Sequence, residues 1–242
     1  IDWHEKILYT GTGAAPAPLE LIKKCRELDF SFHEGYGMSE TTALAISTPY
    51  NAFRPGSCGV PYTDVELRLV DENGNDVPLG QPGEIWMKSP YVMKEYWRNP
   101  EETAKVFTED GWLKSGDVAY MDEDGYVYIV DRTKDMIIAG GFNIYPREID
   151  EVLVKHPKVA DAMAVGVPDE YRGETVKAFV QLKPGVEDVT AEELIAFCRE
   201  HLAPYKVPKL IEFRTEPLPR TTTGKALRRI LRDEEIAKQK KK

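Results

Sequence analysis

The spacing of apolar and polar residues changes twice along the chain. At the start, "KILYTGTG" has the apolar run and glycine turn of a short strand, and "PLELIKKCRELDF" places Leu19, Ile22 and Leu28 near helical spacing. The segment "FHEGYGMSETT" then has the pattern of a second strand followed by a loop. This order of strand, helix and strand predicts a βαβ unit before about residue 55.

From about residue 55 the apolar residues alternate with polar ones, as in strands with one buried face. "VELRLVDENGN" alternates and turns at Asn73 and Gly74, and "GEIWMKS" has the pattern of another strand. "VAYMDEDGYVYIVDR" predicts a hairpin around Asp124 and Gly125. We therefore expect a small sheet or barrel over residues 55–132.

The part of the chain after Arg132 mixes the two periods. A glycine pair splits "MIIAGGFNIYP" into two strands, and further strands are predicted at "VADAMAVGV", "TVKAFVQL" and "KLIEF". Helices are predicted at "PREIDEVLVKH", "GKALRRILRDEEIAK" and "TAEELIAFCREHL", where Thr190 and Glu193 have capping-box spacing. The expected fold class is α/β up to residue 132 and α+β in a compact domain over residues 133–242.

Charge divides the chain at nearly the same position. Residues 1–132 carry 12 Lys and Arg against 23 Asp and Glu, whereas residues 133–242 carry 20 against 18. The basic excess lies mostly in the last predicted helix and the "KQKKK" end, which is typical of a solvated terminus. A nucleic-acid interface needs a basic face over much of a domain, so we expect none.

Cysteine usage indicates a reducing compartment. Cys25, Cys58 and Cys198 have no metal-binding spacing, and their odd number argues against a disulfide framework, so we expect free thiols in the cytoplasm. We expect neither a signal peptide nor a transmembrane segment, because no run of 18 apolar residues occurs. Since the chain starts at Ile1 within a strand-like pattern, we expect it to be a piece of a longer protein.

Two segments have parts suited to binding phosphate. "RTTTGKALRR" has the Gly-Lys pair of a P-loop, but that pattern requires a glycine where Pro219 stands. "YGMSET" does not match a nucleophile elbow, because Thr41 replaces the required glycine. Its aromatic ring, hydroxyl and carboxylate can stack a base, bond a phosphate and hold Mg²⁺. A tight turn with surface polar groups is the alternative interpretation.

Taken singly, the other candidate residues are ordinary. Asp117 and Arg132 are each compatible with a surface ion pair. The pair Gly140 and Gly141 fits a bend between two strands, and Lys225 fits a solvated side chain. The four histidines have no ligand spacing to one another and are given no role. Only the order of the segments along the chain points to a function.

That order resembles the acyl-adenylate-forming enzymes, the superfamily of acyl-CoA synthetases, luciferases and peptide-synthetase adenylation domains. The segments are "GTGAAP", "YGMSET", "GSCGVP", "GWLKSGD", "DGYVYIVDRTKDMI", "GGFNIYPREIDEVL" and "PRTTTGKALRR". The resemblance implies that residues 1–132 end a large ATP- and acyl-binding domain and that residues 133–242 form a small mobile domain. In this superfamily a carboxylate attacks the α-phosphate of ATP, and in most branches a thiol then displaces AMP.

The resemblance also implies a site for ATP and AMP made of residues that contact adenine, ribose, phosphate and Mg²⁺: Gly13, Ala14, Ala15, Tyr36, Ser39, Glu40, Asp117 and Arg132. The backbone at residues 13–15 and the ring of Tyr36 are expected to enclose adenine. Ser39 is expected to bond phosphate and Glu40 to hold Mg²⁺. Asp117 and Arg132 are expected to bond the ribose hydroxyls.

Lys225 is implied to bridge the attacking carboxylate and the phosphate. A cation aimed at charge developing between two anions lowers the barrier, and its loss typically costs about 10² to 10³ in rate. The second domain is expected to swing about a hinge at Lys134, bringing this lysine in for adenylation and out for thioester formation. In the second pose Gly140, Gly141 and Phe142 are expected to line the path of the CoA pantetheine arm.

Three functions stay open. Segments such as "YVMKEYWRNPEET" and "VPDEYRGETVKAFVQLKPG" are most similar to medium- and long-chain fatty acyl-CoA synthetases, which makes fatty-acid activation the first choice. An aryl-CoA ligase is the nearest rival, and a non-catalytic nucleotide- or nucleic-acid-binding module is the alternative of another class. The phosphate loop of the superfamily is expected upstream of Ile1, so we expect the 242 residues to be inactive alone. Ser39 and Ser115 stand where threonine is common, and both keep a hydroxyl.

Overall fold

A computed structural model describes residues 7, 10–13, 19–50, 52–222 and 224–239, without the side chains of residues 19, 20 and 239. The chain divides into two compact units, Ile1–Val130 and Asp131–Lys242. The boundary predicted at Arg132 lies two residues from this division. Each unit has its own sheet structure and its own apolar core.

The first sheet of unit 1 contains the predicted βαβ unit. Its strands, in sheet order, are β1 (Thr10–Thr12), β2 (Phe32–Tyr36), β3 (Ile46–Ser47) and β4 (Val60–Pro61), and α1 (Leu19–Glu27) connects the first two. Strands β1 and β2 are parallel, whereas β3 and β4 continue the sheet antiparallel. Ile22 on α1 is buried, as the helical spacing of apolar residues predicts.

The second sheet of unit 1 accounts for the alternating pattern after residue 55. Its strands, in sheet order, are β5 (Glu66–Val70), β6 (Gly83–Lys88), β7 (Leu113–Met121) and β8 (Val127–Arg132). Helix α2 (Pro100–Val106) was not predicted from the sequence, although its start signals are present. Asn99 caps it by accepting a hydrogen bond from the backbone of Glu102, and Pro100 occupies the first turn.

Both sheets of unit 1 share one apolar core. Ile46 of β3 packs in the same cluster as Ile85 and Met87 of β6, Leu113 of β7 and Val127 of β8. All five side chains are inaccessible to solvent. The candidate residues at the ends of β2 and in β7 are therefore attached to a common rigid support.

Unit 2 is built on a five-stranded sheet. Its elements are β9 (Ile137–Ala139), β10 (Phe142–Ile144), α3 (Pro146–Lys155), β11 (Val159–Asp169), β12 (Gly173–Leu182), α4 (Ala191–His201), β13 (Leu210–Phe213) and α5 (Arg228–Gln239). The strands run in the order β10-β9-β12-β11, and β13 pairs parallel with β12. Each predicted element is present, but α5 begins at Arg228, since Thr221 and Lys225 hydrogen-bond to each other ahead of it. In the described part of the chain, no helix is long and apolar enough to cross a bilayer.

The two faces of this sheet are covered differently. On one face, α3 and α4 pack against Val176, Ala178 and Val180 of β12 in the main core. On the other face, Leu231 of α5 packs with Phe179 and its neighbours in a smaller cluster. Because the side chains of a strand alternate between faces, one strand supplies both cores.

Helix α5 is docked by ion pairs in addition to apolar contacts. Arg228 lies 2.7 Å from Asp150 of α3 and donates to the backbone oxygen of Ala164 at 3.0 Å. Asp150 also accepts the backbone N–H of Ala164 at 2.6 Å. Glu235 lies 2.7 Å from the nearly buried Lys177 of β12. The Arg228 pair is buried and each partner also hydrogen-bonds the backbone of Ala164; such additional hydrogen bonds are a condition for a buried pair to be favourable.

We expect Arg228→Ala to destabilise the protein by about 3 to 5 kcal/mol, because Asp150 then stays buried without its cationic partner. Arg229→Ala is the matched control, since its side chain is 90% exposed against 8% for Arg228. It should change stability by less than about 0.5 kcal/mol. Denaturant unfolding of both variants measures the difference. Equal, small effects would contradict a structural role for the buried pair.

Candidate functional site

The segment "YGMSET" forms a tight turn after β2. Residues Ser39–Thr41 make one turn of 3₁₀ helix, and the Thr41 hydroxyl and the Met38 backbone exchange hydrogen bonds. The chain returns through Thr42 and Ala43, which both have positive φ, of 54° and 87°. Such a conformation is strained for residues with a Cβ and persists only where its surroundings enforce it.

A glycine is required at position 37 because the backbone of Ala43 lies too close to leave room for a side chain. A Cβ at this position would lie 1.6 Å from the carbonyl oxygen of Ala43. A hydrogen bond also closes the turn: Ala45 donates its N–H to the backbone oxygen of Tyr36 at 2.9 Å. The turn therefore holds Ser39 and Glu40 at a fixed position beside the end of β2.

Asp117 points toward this turn because β7 bulges. One residue of β6, Ile85, faces residues 115–117 of β7 between two regular cross-strand pairs. The Ser115 hydroxyl accepts the backbone N–H of Asp117 at 3.1 Å inside the bulge. Bulges redirect side chains and are common beside functional sites. Here the Asp117 carboxylate accepts a 2.6 Å hydrogen bond from the hydroxyl of Tyr36.

The direction of this hydrogen bond is set by electrostatics. Burial raises the pKa of Tyr36 far above its usual value, and the negative charge of Asp117 adds to that effect. The hydroxyl therefore keeps its proton at neutral pH and acts as the donor. The bond joins β2 of the first sheet to β7 of the second, 81 residues away.

Glu40 is held at two points by one segment of the chain. Its backbone oxygen accepts the N–H of Met93 at 2.7 Å, and its Oε1 accepts the hydroxyl of Tyr96 at 2.7 Å. The hydrogen bond to Glu40, with burial, raises the pKa of Tyr96 to about 12. Tyr96 has no role predicted from the sequence, since a contact across 56 residues leaves no local pattern. Its only signal is its place in the segment "YVMKEYWRNPEET".

Gly13 is the part of the expected adenine loop that can be placed. It follows the end of β1, and a Cβ there would lie 3.6 Å from the oxygen of Gly35 in β2. Gly13 and Tyr36 thus stand at the carboxyl ends of adjacent parallel strands, where α/β sheets bind ligands. Ala14 and Ala15 lie outside the described residues.

The remaining predicted residues belong to unit 2. Arg132 ends β8, and Lys134 lies exposed in the 3₁₀ turn Thr133–Asp135. Gly140 and Gly141 form the turn between β9 and β10, with φ of 60° and 82°. Phe142 begins β10 and stacks on Tyr205 with ring centroids 4.7 Å apart.

Lys225 lies in a turn that precedes α5. Its backbone N–H donates to the Thr221 hydroxyl at 3.0 Å, and its oxygen accepts the N–H of Thr221 at 2.9 Å. Arg220 donates to the oxygen of Gly224 at 3.1 Å and forms an ion pair with Asp161 of β11 at 2.7 Å. The turn is thereby attached to the sheet of unit 2.

The fold is that of adenylate-forming enzyme domains. The family model described as AMP-binding enzyme matches residues 4–97, and the one described as AMP-binding enzyme C-terminal domain matches residues 148–225. Together the two ranges take in more than half of the chain. The chain belongs to the AMP-binding enzyme family.

Curated relatives and solved structures agree with this assignment. The chain is 50% identical over 204 residues to a long-chain-fatty-acid–CoA ligase of Yersinia pestis, covering 84% of this chain and 36% of the relative. It is 45% identical over 218 residues to a feruloyl-CoA synthase of an Amycolatopsis species, covering 89% and 44%. It is similar to ATP-bound MatB from Rhodopseudomonas palustris with a TM-score of 0.85 and 36% identity, covering 93% and 44%. The chain thus spans less than half the length of these proteins.

We expect Gly37→Ala to destabilise the turn, because the added methyl group would meet the Ala43 carbonyl. Overpacking of this kind typically costs about 1 to 3 kcal/mol, and a collision with backbone lies at the upper end. Gly13→Ala is the matched control, since its Cβ would make only ordinary contact at 3.6 Å. Denaturant unfolding compares the two variants. A Gly37→Ala protein as stable as the control would contradict the close approach.

Proposed function

We propose that this chain carries the adenylate site and the C-terminal domain of an AMP-forming acid–thiol ligase. The reaction activates a carboxylic acid with ATP and then transfers the acyl group to CoA, with AMP and pyrophosphate as the other products. The hydrogen bond to Asp117 from Tyr36, which ends the parallel strand β2, is the observation that carries the proposal. Similarity to long-chain-fatty-acid–CoA ligases supports a fatty acid as the substrate.

The nucleoside is proposed to bind at the end of β2. The backbone of Gly13 and the ring of Tyr36 would enclose adenine, and Asp117 would accept the ribose hydroxyls, with Arg132 as a further donor. Asp117 accepts the tyrosine hydroxyl through Oδ2. A carboxylate has about four acceptor positions, so it can bind a ribose hydroxyl without giving up the tyrosine.

The turn is proposed to bind phosphate and a divalent cation. Ser39 is exposed and Glu40 is partly exposed, and Ser39 has a hydroxyl suited to phosphate. No group of three or more metal-ligating side chains occurs in the described residues, so Glu40 would share the cation with phosphate oxygens. One carboxylate with phosphate oxygens and waters is the usual environment of Mg²⁺ in nucleotide sites. The bound cation would neutralise phosphate charge during adenylation.

Unit 2 is proposed to supply Lys225 for adenylation and the glycine turn for thioester formation. The lysine would stabilise charge that develops between the carboxylate and the α-phosphate. The exposed turn at Lys134 would be the hinge that exchanges the two poses. A thin pantetheine arm would pass Gly140 and Gly141, since glycine leaves space for it.

An aryl acid is the second candidate substrate, because the feruloyl-CoA synthase is 45% identical to the chain. Pyrophosphate release from the full-length protein, measured over a panel of carboxylic acids, separates the candidates. Fatty acids should give the highest kcat/KM. Preference for aryl acids would favour the second candidate, and no pyrophosphate release with any acid would contradict the proposed reaction.

We expect Lys225→Ala in the full-length protein to slow adenylation by about 10² to 10³, because the developing charge loses its cation. Thioester formation from supplied acyl-adenylate should stay within about twofold of wild type, since that step does not use this lysine in the two-pose account. Arg229→Ala is the control, as it removes a 90% exposed cation four residues away. Equal damage to both half-reactions would contradict the assignment.

A large side chain in the turn at Gly140 and Gly141 should slow thioester formation and spare adenylation, the reverse of Lys225→Ala. Gly141→Leu is expected to slow thioester formation about tenfold or more by blocking the thiol arm, with little change in adenylation. Gly185→Leu is the matched control: its φ is 78° against 82° for Gly141, and a Cβ at either position has no described atom within 4 Å. Both substitutions carry the same backbone strain. Single-turnover kinetics of each half-reaction measure the difference, and equal losses in the two variants would exclude a blocked path.

A further inference from the structure

We infer that Tyr96 is a positioning residue that orients the Glu40 carboxylate for the divalent cation bound with the nucleotide. The inference rests on the proposed function, because it takes the role of Glu40 from it. Tyr96 is not one of the groups proposed to touch substrate. Its hydroxyl reaches Glu40 from a different part of the chain, at 2.7 Å.

The geometry leaves one carboxylate oxygen available. Oε1 of Glu40 accepts the Tyr96 hydroxyl, and within the described residues Oε2 has no hydrogen-bond partner. The backbone of the same glutamate is fixed by Met93, three residues before Tyr96. The segment that contains Met93 and Tyr96 therefore fixes both the backbone position of Glu40 and the direction of its carboxylate.

Tyr96 is itself held by the start of α2. Its backbone N–H donates to the hydroxyl of Thr103 at 3.0 Å, and that hydroxyl donates to the backbone oxygen of Asn99 at 2.8 Å. Asn99 is also the cap of α2. The hydroxyl that reaches Glu40 is thus carried by a capped helix start, which is a rigid support for a binding group.

A fixed carboxylate binds a cation better than a free one. A glutamate side chain has several rotamers, and ordering them on binding costs conformational entropy. A hydrogen bond that selects one rotamer beforehand removes that cost. Partners that hold the ligands of a metal ion typically contribute about 10- to 100-fold in metal affinity. If the hydrogen bond from Tyr96 only attached residues 93–99 to the turn, its loss would lower stability without lowering metal affinity.

The test uses Tyr96→Phe in the full-length protein, with Mn²⁺ as the probe cation. Binding of Mn²⁺ to the complex with a non-hydrolysable ATP analogue is measured by electron paramagnetic resonance, and binding of AMP without metal by calorimetry. Tyr91→Phe is the matched control, because it lies in the same segment, is 47% exposed and has no hydroxyl partner among the described residues. Denaturant unfolding shows that each variant is folded.

Tyr96→Phe is expected to weaken Mn²⁺ binding by about tenfold or more and to change AMP binding less than twofold, whereas Tyr91→Phe should change neither. In a Glu40→Gln background, Tyr96→Phe should have no further effect on Mn²⁺, since it acts through that carboxylate. Unchanged Mn²⁺ binding in Tyr96→Phe, or equal losses for Mn²⁺ and AMP, would overturn the inference alone. Failure of the wild-type protein to bind the metal–nucleotide complex would overturn the proposed function and the inference with it.

Discussion

The candidate site depends on the hydrogen bond between Tyr36 and Asp117. It joins the end of a parallel strand in one sheet to a bulged strand in the other, at 2.6 Å between hydroxyl and carboxylate. Hydrogen bonds to an ionised acceptor are the strong ones, and this one is partly buried. It fixes an aromatic ring and an acid side by side, which are the two groups that a nucleoside needs for its base and its sugar.

A second hydrogen bond from a tyrosine hydroxyl to a carboxylate occurs in unit 1. Tyr96 donates to Glu40 as Tyr36 donates to Asp117. Burial, together with the adjacent carboxylate, raises the pKa of Tyr36, and the hydrogen bond to Glu40, together with burial, raises the pKa of Tyr96, so both phenols stay donors. In unit 2, charged side chains hold elements of the fold together. Ion pairs dock α5 and anchor the turn that carries Lys225, so that this lysine is attached to a rigid part of unit 2.

Local patterns predicted most of the fold. Alternation and helical spacing gave the βαβ unit, the hairpin at Gly125 and the elements of unit 2, because each depends on neighbouring residues. The start of α5 was placed too early, since the turn at Lys225 depends on the distant Asp161. The contact of Tyr96 with Glu40 and that of Tyr36 with Asp117 could not be found in the sequence, because contacts across 56 and 81 residues leave no local pattern.

The most direct test of the nucleoside site compares AMP with 2′,3′-dideoxy-AMP by calorimetry, in the wild-type protein and in Asp117→Ala. If Asp117 accepts the ribose hydroxyls, the wild-type protein should bind AMP about tenfold tighter than the dideoxy nucleotide, as expected for hydrogen bonds to a charged group. Asp117→Ala should bind the two nucleotides almost equally. Equal affinity in the wild-type protein, or an undiminished preference for AMP in Asp117→Ala, would contradict the account.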